Sequence, residues 1–122
     1  LINETKKIFN IPDLKITATC IRVPTIRSHC ESVNIQFKNE INYEQIKELL
    51  GQDPNVVLVD DKKDSNFPDT ICSTNKNEVY IGHIRPDFSL PKNKGWNFWI
   101  SGDQILRGAA YNAVKILEKI MD

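Results

Sequence analysis

An α+β domain is the fold class this sequence predicts, with a mixed, largely antiparallel sheet and helices packed on one face. Three observations predict it. Short runs rich in β-branched residues follow one another without a regular helix between each pair, which disfavours repeated βαβ units. One of them, Ser32 to Lys38, alternates strictly, with Val33, Ile35 and Phe37 on one side and Asn34 and Gln36 on the other, the pattern of a half-buried strand. At the end of the chain, Leu106, Ala110, Ala113, Leu117 and Ile120 recur at three- and four-residue intervals, the stripe of an amphipathic helix.

The elements follow in order. Leu1 to Asn10 reads as the tail of a helix. Leu14 to Val23 is β-branched and is expected to be a strand carrying a buried Cys20. Pro24 to His29 interrupts it, and the alternating strand begins just beyond. Tyr43 to Gly51 is predicted as a helix, with Ile46, Leu49 and Leu50 as its apolar stripe and Gly51 as its stop. Val56 to Val59 is a short buried strand, and the polar stretch from Asp60 to Asn77 is a long loop. Glu78 to Arg85 and Trp96 to Ser101 are two further strands, with Trp96, Phe98 and Trp99 expected in the core or at an interface. Asp103 to Met121 is the closing helix. The predicted order is therefore α-β-β-α-β-β-β-α.

The 122 residues suit one domain, and 40% of them are apolar, enough for a single core. Sixteen basic and 16 acidic side chains leave no net charge, so no strong field is available to gather nucleic acid or an anionic membrane surface. No run of 18 apolar residues is present to span a membrane. The three cysteines, Cys20, Cys30 and Cys72, have neither disulfide-framework nor zinc-ligand spacing, which points to a reducing, cytoplasmic setting. The chain opens on Leu1 rather than methionine, within an apparent helix end. The expectation is a fragment, with part of any site on residues outside it.

The chemistry concentrates between Arg22 and Glu31 (RVPTIRSHCE). A strand end, a proline-broken turn and a second strand start place side chains where a rigid scaffold meets solvent. Arginine grips a carboxylate with a planar fork of donors, and histidine moves protons near neutral pH. On spacing alone, a solvated turn or a local ion pair is the commoner account of such a cluster.

The stretch ITATCIRVPTIRSHCESVNIQF resembles the substrate-binding segment of aspartate-semialdehyde dehydrogenases, in which an arginine and a histidine lie seven residues apart. Two further blocks, EVYIGHIRPD (Glu78 to Asp87) and SGDQILRGAAYNAV (Ser101 to Val114), resemble later parts of the same family in the same order. His83 stands where that family commonly has an arginine. Such enzymes reduce the acyl phosphate of aspartate to the semialdehyde with NADPH, through a cysteine thioester, on the route to lysine, threonine and methionine. The resemblance implies a glyceraldehyde-3-phosphate-dehydrogenase-like carboxyl-terminal domain, with residues 1–122 forming the substrate-binding and dimerisation domain and the nucleotide-binding half absent. By the same resemblance, Arg22 binds the substrate carboxylate, His29 is the catalytic acid/base and Gln104 contacts the NADP cofactor. It also implies a homodimer or homotetramer, an acyl phosphate or semialdehyde and phosphate as ligands, and no metal.

Several residues carry two readings. Ser101 to Gln104 also fits a capping box, with Ser101 as N-cap, Gln104 reaching back to it and Asp103 as a first-turn charge. Gly108 to Ala110 are small enough to admit a neighbouring segment. Glu31 either orients His29 or simply begins the strand at the surface. Cys30 reads as packing and His83 as a structural histidine. Ile-Cys72-Ser-Thr-Asn is superficially like the family's nucleophile motif, but it lies in a predicted loop without the preceding asparagine or a following helix, and the nucleophile is expected outside this chain. The rivals are an N-acetyl-glutamyl-phosphate reductase-type enzyme and a non-catalytic dimerisation module.

Overall fold

The computed structural model describes residues 1–60 and 66–121. Four strands form one mixed sheet: β1 (His29–Gln36), β2 (Val56–Val59), β3 (Val79–Pro86) and β4 (Gly95–Gly102). Their order is β1-β4-β3-β2, with β1–β4 and β4–β3 antiparallel and β3–β2 parallel. The α+β class and the mixed sheet are those predicted.

Helix α1 (Ile2–Phe9) ends on Asn10, whose left-handed φ of 54° lets the last carbonyls be capped by the following amides. Helix α2 (Tyr43–Gly51) starts from a complete capping box: Asn42 Oδ1 accepts the Gln45 amide and Gln45 Oε1 accepts the Asn42 amide. Its Ile46 enters the core with Ile81, Ile84, Trp96 and Phe98, and Leu50 packs against it. Leu49, expected in that stripe, is exposed.

Alternation along β4 separates the two faces of the sheet. Trp96, Phe98 and Ile100 meet Val33 and α2 on one. On the other, Ser101 lies against the short helix α3 (Thr70–Ser73), Ser73 Oγ and Ser101 Oγ being 2.8 Å apart. The Trp99 indole also donates to the Pro68 carbonyl, at 2.8 Å.

Three expectations are corrected. Leu14 to Val23 forms no strand: it is irregular and mostly exposed, Cys20 included. Its β-branched residues meet no neighbouring ladder, and β-propensity expresses packing on a sheet more than a backbone preference. Within the predicted loop from Asp60 to Asn77, of which residues 61–65 lie outside the described residues, a helix forms around Cys72, capped by Asp69 Oδ1 on the Cys72 amide. The closing helix does not begin at Asp103. A π-helical turn, η1 (Leu106–Ala110), precedes α4 (Tyr111–Met121). The amides of Gly108 and Ala110 reach back to the carbonyls of Asp103 and Ile105, and such wide turns recur at functional sites.

No helix among the described residues is long and apolar enough to cross a membrane. Both α1 and α4 bury nothing. Ile8, Phe9, Val114, Leu117, Ile120 and Met121 face outward.

Candidate active site at one end of the sheet

His29 is the first residue of β1, and the antiparallel register sets it opposite Gly102, the last residue of β4. Asp103 and Gln104 follow directly. The sheet thus brings the expected acid/base residue and the expected cofactor residue to one end of the fold, although 75 residues of sequence separate them.

The His29 side chain is half exposed, and its Nε2 lies 3.3 Å from Glu31 Oε1. Two positions along a strand return to the same face, so Glu31 has the geometry of an orienting carboxylate. The Glu31 side chain is also more than half exposed. Cys30, between them, points to the opposite face, where its thiol donates to Ser101 Oγ at 3.4 Å. Ser101 is fully buried and also donates to the Asp69 carbonyl at 2.7 Å. It is a strand residue rather than a helix N-cap.

The capping role belongs to Asp103, which the sequence suggested as a first-turn charge. Its carboxylate is fully buried. Oδ1 accepts the amides of Ile105 (2.9 Å) and Leu106 (3.1 Å), while Oδ2 accepts Asn75 N (2.8 Å) and Arg27 Nε (2.7 Å). Burial by itself raises the carboxyl pKa. The bonds from Asn75, Leu106, Arg27 and Ile105 outweigh it and bring the value from 3.8 to about 2. With the cap supplied by Asp103, the Gln104 amide is not needed for it. Gln104 is exposed and makes no hydrogen bond among the described residues.

Ser28, buried beside Arg27, holds a left-handed φ of 66°, and its Oγ lies 3.0 Å from Thr74 Oγ1. A non-glycine residue in that region costs about 1 kcal/mol and persists where neighbours fix it. Arg22, on the irregular segment, is exposed, with no ion pair or hydrogen bond among the described residues. The fold does not pin it beside His29, but its guanidinium is open to an anion. His83 is exposed on a β3 bulge, with φ 51° and its ring 4.5 Å from that of Phe67. It takes no part in this end of the sheet.

Cys72 is a helix-capping residue. Its thiol donates to the Asp69 carbonyl (3.1 Å) and receives the Asp69 amide (3.2 Å), and burial pushes its pKa up. A raised thiol pKa opposes nucleophilic use.

Arg27 and Ser28 escaped sequence reasoning, and so did the burial of Asp103. The available signal was Asp103 itself, since aspartate caps helices as well as serine does and either residue of Ser-Gly-Asp could have been chosen.

The mixed α+β sheet, with His29, Glu31 and Gln104 at one end, has the architecture of the carboxyl-terminal domains of solved aspartate-semialdehyde dehydrogenases. The semialdehyde dehydrogenase dimerisation-domain profile matches residues 1–107, and the chain belongs to that family. An aspartate-semialdehyde dehydrogenase of Synechocystis sp. is 42% identical over 122 residues, covering 100% of this chain and 36% of the relative. The Bacillus subtilis enzyme of that name is 41% identical over 121 residues, covering 98% and 34%. Among solved structures, aspartate semialdehyde dehydrogenase II of Vibrio cholerae superposes with a TM-score of 0.89 at 34% identity, over 98% of this chain and 35% of that one. The chain spans about a third of the length of these relatives.

Proposed function

We propose that this chain is the substrate-binding and dimerisation part of an NADP-dependent aspartate-semialdehyde dehydrogenase, acting in lysine, threonine and methionine biosynthesis in the cytoplasm. The observation that carries the reading is the strand register, which sets His29, oriented by Glu31, opposite the Gly102–Gln104 corner.

His29 is the proton carrier. Half exposed and paired with a carboxylate, it can accept a proton from a thiol or return one to a developing oxyanion. Arg22 offers its uncommitted guanidinium to the substrate carboxylate. Gln104 presents a free amide that fits the carboxamide of a nicotinamide ring. When bound, that cofactor accepts or supplies the hydride. The chain has no glycine-rich phosphate loop, so the greater part of cofactor binding is assigned to the rest of the protein. So is the nucleophile: Cys30 and Cys72 are committed to internal hydrogen bonds, and Cys20 lies on the exposed irregular segment. The apolar faces of α1 and α4 suit contacts with the rest of the protein and with a second copy, as a homodimer or homotetramer. The free cysteines fit a reducing compartment.

The full-length protein should reduce NADP in the presence of aspartate semialdehyde and phosphate. His29→Ala should lower kcat by about 10²–10⁴-fold, and Arg22→Leu should act mainly by raising KM for the semialdehyde. An active full-length protein indifferent to His29→Ala, or an Arg22→Leu enzyme with unchanged KM, rejects the assigned roles.

A further inference from the structure

The acid/base histidine and the cofactor-facing glutamine must hold a fixed relation, yet neither contacts the other through any bond among the described residues. Two residues before His29 and one before Gln104, Arg27 and Asp103 meet through a 2.7 Å ion pair. Asp103 is fully buried and is held independently by the amides of Asn75, Ile105 and Leu106. It is therefore a fixed post, and Arg27 is the arm that ties the His29 turn to it. The turn needs such a tie. It follows an irregular, exposed segment, and Ser28 sits in a strained left-handed conformation. Among the described residues, the other side-chain hydrogen bond holding the turn is Ser28 Oγ on Thr74 Oγ1, at 3.0 Å. Thr74 adjoins Asn75, which donates to the same carboxylate, so both ties converge on one post.

We propose that the Arg27–Asp103 pair is the positioning device of the site, fixing the His29 imidazole relative to Gln104 without touching substrate. This rests on the reading of His29 given above. The pair acts on His29 more than on Arg22, because the segment carrying Arg22 is unpinned.

The test uses the full-length protein with Arg27→Met, which cuts the arm but leaves Asp103 its three backbone donors. Arg27→Gln replaces it if that variant does not fold. With aspartate semialdehyde, phosphate and NADP, kcat should fall about 100-fold, the loss typical of a small misplacement of a reacting group, with KM for the semialdehyde near the parent's. Arg27→Lys, whose ammonium can still reach Asp103 Oδ2, should recover part of that loss. In the unliganded protein, the His29 imidazole NMR signals, assigned with His29→Gln, should shift or double in Arg27→Met while those of His83 stay in place. Unchanged kcat, a loss confined to KM, or no recovery with lysine would overturn the proposal. If the parent protein does not turn over aspartate semialdehyde, the functional reading fails, and the NMR comparison alone decides the positioning role. Unmoved His29 signals then overturn it.

Discussion

Side chains that look alike in the sequence carry different loads once folded. The three cysteines are the clearest case. Cys20 stands in a β-branched run and is exposed, whereas Cys72 stands in a polar run and is partly buried as a capping residue. Thiolate is the reactive form, so burial that raises the Cys72 pKa slows it. Timed alkylation with iodoacetamide at neutral pH, read by peptide mass spectrometry, should modify Cys20 well before Cys72. Equal rates would mean that the Asp69 contacts do not hold the thiol. Asp103 teaches the same lesson in reverse: an ordinary aspartate after Ser-Gly becomes the most heavily bonded carboxylate among the described residues.

Between elements, Gly82 is the most tightly enclosed of the glycines among the described residues. It faces Val59 across the parallel β2–β3 pair, and a Cβ placed there would lie 1.8 Å from the Val59 carbonyl oxygen and 2.8 Å from Pro68 Cδ. The first of these is backbone and cannot swing away. Gly82→Ala should therefore destabilise by about 3 kcal/mol, the upper end of overpacking losses, seen as a lower thermal midpoint of the full-length protein. An unchanged midpoint would mean that β2 is free to move off. β2 matters because it completes the sheet on the side away from the site, while β1 and β4 carry the site at the other. Helix α2 covers the shared core between them; its position and Ile46 as part of its apolar stripe were legible in the sequence, whereas the exposure of Leu49 was not.

For the molecule as a whole, Asp103 couples three segments remote in sequence: the His29 turn, the chain beyond α3 and the start of η1. Its carboxyl is depressed in the folded state, to about 2 from 3.8. The unfolded chain therefore binds its proton first as pH falls, and the folded state is favoured above the unfolded value. That contribution is complete above about pH 4 and is lost as pH drops toward 2. Thermal midpoints of the parent and Asp103→Asn proteins should differ most near neutrality and converge toward pH 2. A constant gap would place the acid transition on other carboxylates. The outward apolar faces of α1 and α4 belong to this scale too, since amphipathic helices that bury nothing within the chain suit contacts beyond it.

The local rules written in the sequence determined much by themselves. Alternation in Ser32 to Lys38, the apolar run Val56 to Val59 and the aromatic-rich Trp96 to Ser101 each declared a strand, because a pleated, half-buried surface selects those residues. The residue pattern put a strand start just beyond His29, and the strand begins at His29 itself. Pairing was decided only by the tertiary structure. Leu14 to Val23 has strand composition but no neighbour to bond, and Asp103 became a buried post rather than only a first-turn charge because Arg27 and Asn75 arrive from distant parts of the chain. Propensity is a property of neighbours in sequence. Hydrogen-bond ladders and buried ion pairs need neighbours in space, and no local pattern states which those are.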